Sequence, residues 1–109
     1  MSKFLLLYRT TASAREQMEN ATPEQREVGV QAWQDWATKV GYAIDDLGAP
    51  LSHTAHVGAG AASTDGVAGY SFIEAGSVDE VETILVGHPH LMMPENSVEI
   101  LEVIPIDEM

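Results

Sequence analysis

An α+β fold, two helices laid on a four-stranded antiparallel sheet, is what this sequence predicts, and three observations predict it. Two capping boxes, Thr22-Pro23-Glu24-Gln25 and Ser77-Val78-Asp79-Glu80, each open a stretch with apolar residues at helical spacing. Runs rich in leucine, aromatic and β-branched residues stand before, between and after those stretches. Read in chain order, the elements run β-α-β-β-α-β. At 109 residues the chain suits one domain, spanning 1–109, and is short for two.

The first strand covers Lys3 to Arg9. Phe4, Leu6 and Tyr8 face one way and Leu5, Leu7 and Arg9 the other, so both faces are mostly apolar. Residues 11 to 20 form an irregular lead-in. The first helix starts at Thr22, with Pro23 in the first turn, and carries Val28, Ala32, Trp33, Trp36, Val40, Ile44 and Leu47 on its stripe. Gly48 is placed as its left-handed cap, and Pro50 prevents continuation. Leu51 to Gly58 reads as a second strand, Val67 to Ala75 as a third, with Tyr70 and Phe72 on one face and Ile73 on the other. The glycine-rich segment between them ends in an Asp65-Gly66 turn signal. A second helix runs from Ser77 to about Gly87, and Val98 to Ile106 closes the sheet, with Pro105 at a strand end or edge.

This order is that of the ferredoxin-like split β-α-β arrangement. Two helices cover one face of such a sheet, yet the first and last strands are apolar on both faces. A homodimer with the two open faces together is the expected way of covering the other.

The charge excludes some partners. The net charge is −12; all five basic residues, Lys3, Arg9, Arg15, Arg26 and Lys39, lie in the first 39 positions, and Val40 to Met109 holds twelve acids and no Lys or Arg. Such a chain repels phosphate backbones and anionic lipid, so neither nucleic acid nor membrane is an expected partner. Cysteine is absent, which removes disulfides and thiolate chemistry. The apolar run of the first strand is too short for a signal peptide or a span, and a soluble cytoplasmic protein is expected.

The segments KFLLLYR, DDLGAP, GYSFIEAGSVDEVETIL, HPHL and VEILEVIPI together resemble the YCII-related proteins. The resemblance covers nearly the whole chain and implies a small dimeric α+β barrel built on the ferredoxin-like fold. It also implies a proton-transferring His–Asp pair in some members, joining a histidine of the first helix to an acid before the proline that follows the second helix. Here the first helix has no histidine, its stripe holds Trp33 and Trp36, and the position before Pro89 is His88. The Asp-Gly-Pro-Phe segment of one subgroup is replaced by Thr64-Asp65-Gly66-Val67. The pair does not carry over to this chain.

The candidate chemistry therefore rests on this chain's own residues. His88 and His90, either side of Pro89, titrate near neutral pH and can act as acid or base; equally, His88 can serve as a cation at a helix C-terminus. Two ligands separated by one residue need further donors to hold a metal, and His53 and His56, three apart on a strand, point to opposite faces, so no metal site is expected. Trp33 and Trp36 can line a pocket for a flat ligand or simply pack the helix on the sheet. Tyr8 and Tyr70 can orient a ligand through their hydroxyls, and Arg9 can anchor an anion or pair at the strand end. The glycines of GAGAAS join two strands and are no dinucleotide fingerprint, so no cofactor is implied. The expected function is cofactor-independent acid–base chemistry by His88, with His90, on a small organic molecule held by Tyr8, Arg9, Trp33, Trp36 and Tyr70. The alternatives are a non-catalytic module binding a small molecule or dimerising, and a structural subunit. The direction of the His88 ring discriminates between them.

Overall fold

A computed structural model of the chain describes residues 1–10, 20–60 and 66–108. The lead-in at 11–19 and the Thr64-Asp65 part of the turn lie outside the described residues. The strands are β1 (Ser2–Arg9), β2 (Ile44–Pro50), β3 (Val67–Ala75) and β4 (Ser97–Glu102), and the helices are α1 (Pro23–Val40) and α2 (Val78–Ile84). Short 3-10 turns follow α1 (Gly41–Ala43), α2 (Pro89–Met92) and β4 (Ile106–Glu108). The sheet order is β2-β3-β1-β4, antiparallel throughout, as the predicted element order requires.

Both capping boxes start helices. Thr22 Oγ1 accepts from the Gln25 N–H at 3.1 Å, and Gln25 Oε1 accepts from the Thr22 N–H at 2.9 Å, so the first box closes both ways. At α2, Ser77 Oγ accepts from the Glu80 N–H at 3.2 Å, but the Glu80 carboxylate reaches Gly76 N–H at 2.8 Å instead of Ser77. Only Trp36 of α1 is fully buried; Trp33 and Val40 are half-buried, and Thr22 to Gln31 are exposed throughout. The N-terminal half of α1 thus rests on its cap while the C-terminal half packs on the sheet.

Three boundaries differ from the sequence expectation. Helix α1 ends at Val40, not near Leu47, because Gly41 takes a φ of +68° and caps the helix by donating its N–H to the Ala37 carbonyl. Ile44 and Leu47 then belong to β2. The expected second strand, Leu51–Gly58, is an exposed irregular segment joined to β3 through Leu51 N–H and the Ala68 carbonyl at 2.8 Å. His53 and His56 lie on that segment, exposed, and on no strand face. Gly48 is a bulge residue inside β2, with a φ of +83°; a Cβ there would meet the Tyr70 carbonyl oxygen at 1.7 Å. Strand β4 ends at Glu102, though Val103 N–H still donates to the Lys3 carbonyl at 2.8 Å.

The core lies between the helices and one sheet face: Phe4, Leu6 and Tyr8 of β1, Ile73 and Ala75 of β3, Trp36 of α1, Val81 of α2 and Leu85 just after it. The opposite face carries Leu5 beside Phe72 and Leu101, and Leu7 beside Tyr70 and Glu99. Its rim holds two ion pairs, Lys3–Asp45 at 2.9 Å and Arg9–Glu99 at 3.4 Å. The expected α+β barrel is overturned. Strands β2 and β4 are the two edges of an open sheet and do not meet. Among the described residues no helix is long and apolar enough to cross a membrane.

Candidate functional site

The site gathers where β1, α1 and the loop after α2 converge. Strand alternation turns Tyr8 to the helices, and the three-residue step from Trp33 to Trp36 puts both indoles on the sheet side of α1. After α2, Gly87 adopts a φ of +78° and reverses the chain, which drives His88 inward instead of leaving it at a helix end. The His88 backbone is held from both sides: its N–H donates to the Leu85 carbonyl at 3.0 Å and its carbonyl accepts from Leu91 N–H at 3.1 Å.

The imidazole of His88 is completely buried. It stacks on Tyr8 with ring centres 4.9 Å apart, and the indoles of Trp36 and Trp33 meet it edge-on at 4.3 and 4.6 Å. Its Nδ1 accepts a hydrogen bond from the His90 N–H at 3.0 Å, capping the 3-10 turn that Pro89 begins. An accepting Nδ1 leaves the ring proton on Nε2. That Nε2–H has no partner among the described residues. Burial, and secondarily the charge of His90, push the His88 pKa down to about 4, so the ring is neutral at physiological pH.

His90 is only partly buried, and its ring lies 5.2 Å from Tyr8. Its Nε2 sits 2.8 Å from the Arg9 carbonyl, which can only accept, so this nitrogen is the donor. The Tyr8 hydroxyl donates to Ser71 Oγ at 2.7 Å, and Ser71 donates in turn to the Leu47 carbonyl at 2.5 Å. Burial raises the Tyr8 pKa to about 12 despite the opposing Ser71 bond, which keeps the phenol protonated. Trp36 Nε1–H is satisfied by the Ile84 carbonyl at 3.2 Å.

Five of the seven residues selected from the sequence thus fall together: Tyr8, Trp33, Trp36, His88 and His90. Tyr70 does not join them; it lies on the open face, its ring 5.8 Å from Phe72. The Arg9 side chain is on that face too, paired with Glu99, and its carbonyl touches the cluster. Ser71 was not among the selected residues. The signal for it was parity: two residues from Ile73 on β3, a serine on the buried face must find a hydrogen-bond partner there. Among the described residues no group of three or more His, Asp or Glu is placed to hold a metal ion. A separate open cleft of about 470 Å³, lined by Met1, Ser2, Lys3 and Glu102 to Pro105, lies at the far end of β1 and shares no residue with the cluster.

No protein-family model matches the sequence, and no curated protein matches it. Among solved structures it is similar to 5-chloro-2-hydroxyhydroquinone dehydrochlorinase from Burkholderia phenoliruptrix, in complex with 2,5-dihydroxybenzoquinone. The alignment covers 97% of each chain at 19% identity, with a TM-score of 0.53. The relation is one of fold. It supports the ferredoxin-like architecture that the YCII resemblance implies, while membership of that family does not follow from it.

Proposed function

We propose that this chain binds a small, flat, oxygen-bearing organic molecule at the aromatic cluster, with neutral His88 presenting Nε2–H as a fixed hydrogen-bond donor. The observation that carries the proposal is complete burial of a ring whose one free N–H has no partner among the described residues. Leaving such a donor unmet costs about 1–3 kcal/mol, a cost that a ligand oxygen would relieve. Trp33 and His90, the partly exposed rings at the edge of the cluster, supply the accessible aromatic surface for a planar molecule. A neutral imidazole aimed at a carbonyl or phenolic oxygen polarises it without giving up a proton.

This moves His88 away from the acid–base role expected from its sequence position. To act as a base, Nε2 would have to shed its proton, and the tautomer that allows this sets an Nδ1–H against the His90 N–H. A group that titrates near 4 is also poorly matched to proton transfer at neutral pH. The fold neighbour's ligand, a planar ring bearing carbonyl and hydroxyl groups, belongs to the ligand class proposed here.

Acetophenone is a suitable probe, and the two tryptophans are the reporters. Titration should quench their fluorescence saturably. His88→Phe, which keeps a ring and removes the N–H, should weaken binding about tenfold, as expected for one lost hydrogen bond. Equal affinity in a variant shown to be folded by circular dichroism would refute the assignment.

We further infer that a second copy of the chain covers the open face, sheet against sheet, with each sheet remaining open. That face presents Leu5, Leu7, Tyr70, Phe72 and Leu101, the last 41% exposed, while both helices pack on the other face. Equilibrium sedimentation at micromolar concentration tests this, and a monomer would overturn it.

A further inference from the structure

Two buried side-chain polar atoms among the described residues have no hydrogen-bond partner: His88 Nε2 and Asn96 Oδ1. They are opposite in kind, one a donor and one an acceptor. Both are oriented by the backbone of a single residue, His90. Its N–H fixes the His88 tautomer at 3.0 Å. Its carbonyl accepts from Asn96 Nδ2 at 3.0 Å, and this fixes which end of the amide is the oxygen. The Asn96 N–H is itself occupied by the Met93 carbonyl at 3.1 Å, so the side chain hangs from a closed turn. The His90 ring, held at 2.8 Å by the Arg9 carbonyl, ties the whole loop to the end of β1.

An amide oxygen buried without a donor is as costly as an unmet N–H. Two such groups of opposite sense on one loop, each pinned by the same residue, are what a site built to read a donor and an acceptor would contain. The surroundings add a third requirement. Burial in this cluster is the main reason that His88 is held neutral, and a charged ligand would meet the same desolvation cost. No Lys or Arg occurs from Val40 onward, the Arg9 side chain pairs with Glu99 on the other sheet face, and the His90 ring is engaged by the Arg9 carbonyl.

Building on the ligand-binding role of His88, we propose that Asn96 is a specificity-determining residue, and that the ligand is an uncharged hydroxy-carbonyl molecule. It donates a hydroxyl hydrogen to Asn96 Oδ1 and accepts from His88 Nε2–H. Carboxylates are excluded.

Calorimetric titration with acetophenone, its ortho, meta and para hydroxy derivatives, 4-methoxyacetophenone and benzoate tests this in the intact chain. At least one hydroxyacetophenone should bind about tenfold more tightly than acetophenone; the methoxy compound should lose that gain and benzoate should not bind. Asn96→Ala should abolish the hydroxyl gain, read as the ratio of hydroxyacetophenone to acetophenone affinity in the same variant, whereas His88→Phe should weaken both ligands. Asn96→Leu, close in size and without an acceptor, serves if the alanine variant fails to fold, and should likewise abolish the hydroxyl gain. If acetophenone binds through His88 but no hydroxyl isomer gains, or if the gain survives Asn96→Ala, the role of Asn96 is refuted and the His88 site stands. Binding of benzoate in preference to acetophenone refutes the uncharged class. If none of the ketones binds, the His88 site itself falls.

Discussion

Acidification should destabilise this protein through His88, and the size of the effect follows from its burial. The folded-state pKa is near 4, below the ordinary value of 6.5, so between those values the unfolded chain binds the proton more readily than the folded one. Stability from this group is therefore complete above about pH 7 and lost as the pH falls through 6.5 toward 4. With those two values the loss is about 2 kcal/mol at pH 5 and about 3 kcal/mol at pH 4. Carboxylates titrate over part of the same range, so the informative quantity is a difference between chains. His88→Asn retains an acceptor in place of Nδ1 for the His90 N–H and has nothing to titrate. Urea unfolding of both proteins, followed by tryptophan fluorescence between pH 7.5 and 5, gives the wild-type advantage at each pH. That advantage should shrink by about 2 kcal/mol over the interval. An advantage constant to within about 0.5 kcal/mol would show that His88 is not held neutral by its surroundings, and the argument from desolvation would fail.

Other perturbations address the framework of the site. Ser71→Ala leaves the Tyr8 hydroxyl and the Leu47 carbonyl unmet and should cost about 1–3 kcal/mol in urea unfolding; combining it with Tyr8→Phe should recover part of that loss. Gly48→Ala forces a Cβ into the Tyr70 carbonyl at a positive φ, so the variant should lose at least about 2 kcal/mol. The control, Gly29→Ala, meets nothing within 4 Å and should raise the melting temperature through a gain of up to about 1 kcal/mol in helix propensity.

The parts legible in the sequence were those governed by local chemistry. Capping at Thr22 and Ser77 needs only neighbouring residues, and the alternation of β1 and β3 is set by the pleat. The end of α1 was misplaced because Val40, Ile44 and Leu47 continue a helical spacing after the helix has stopped. Bulges in β2 mimic that spacing, and the deciding event, the left-handed turn at Gly41, has no local alternative against which to weigh it. Gly48 reads as a helix cap in the sequence for the same reason: a positive φ is needed in either role. At the site, Trp33, Trp36 and Tyr8 were brought together by periodicity alone. Tyr70 lies apart from that cluster because cross-strand register carries it to the open face. It sits opposite Leu7, one step from the partner of Tyr8, and no pattern within one strand specifies that pairing. The inward turn of His88 depends on Gly87, and the partners of Ser71 and Asn96 are tertiary.

The uneven seating of α1 has a kinetic consequence. From Thr22 to Gln31 every side chain faces solvent, and this half depends on the cap and on helix propensity, whereas the half ending at Val40 is anchored by Trp33 and Trp36. An isolated run of this length is marginal in water. Amide hydrogens of the first two turns should therefore exchange through local fraying, at free energies far below that of global unfolding, while those near Trp36 wait for the whole domain to open. One continuous helix would then belong to two cooperative units. The boundary between them falls just before Trp33, so the loose unit adjoins the aromatic cluster without forming part of its wall.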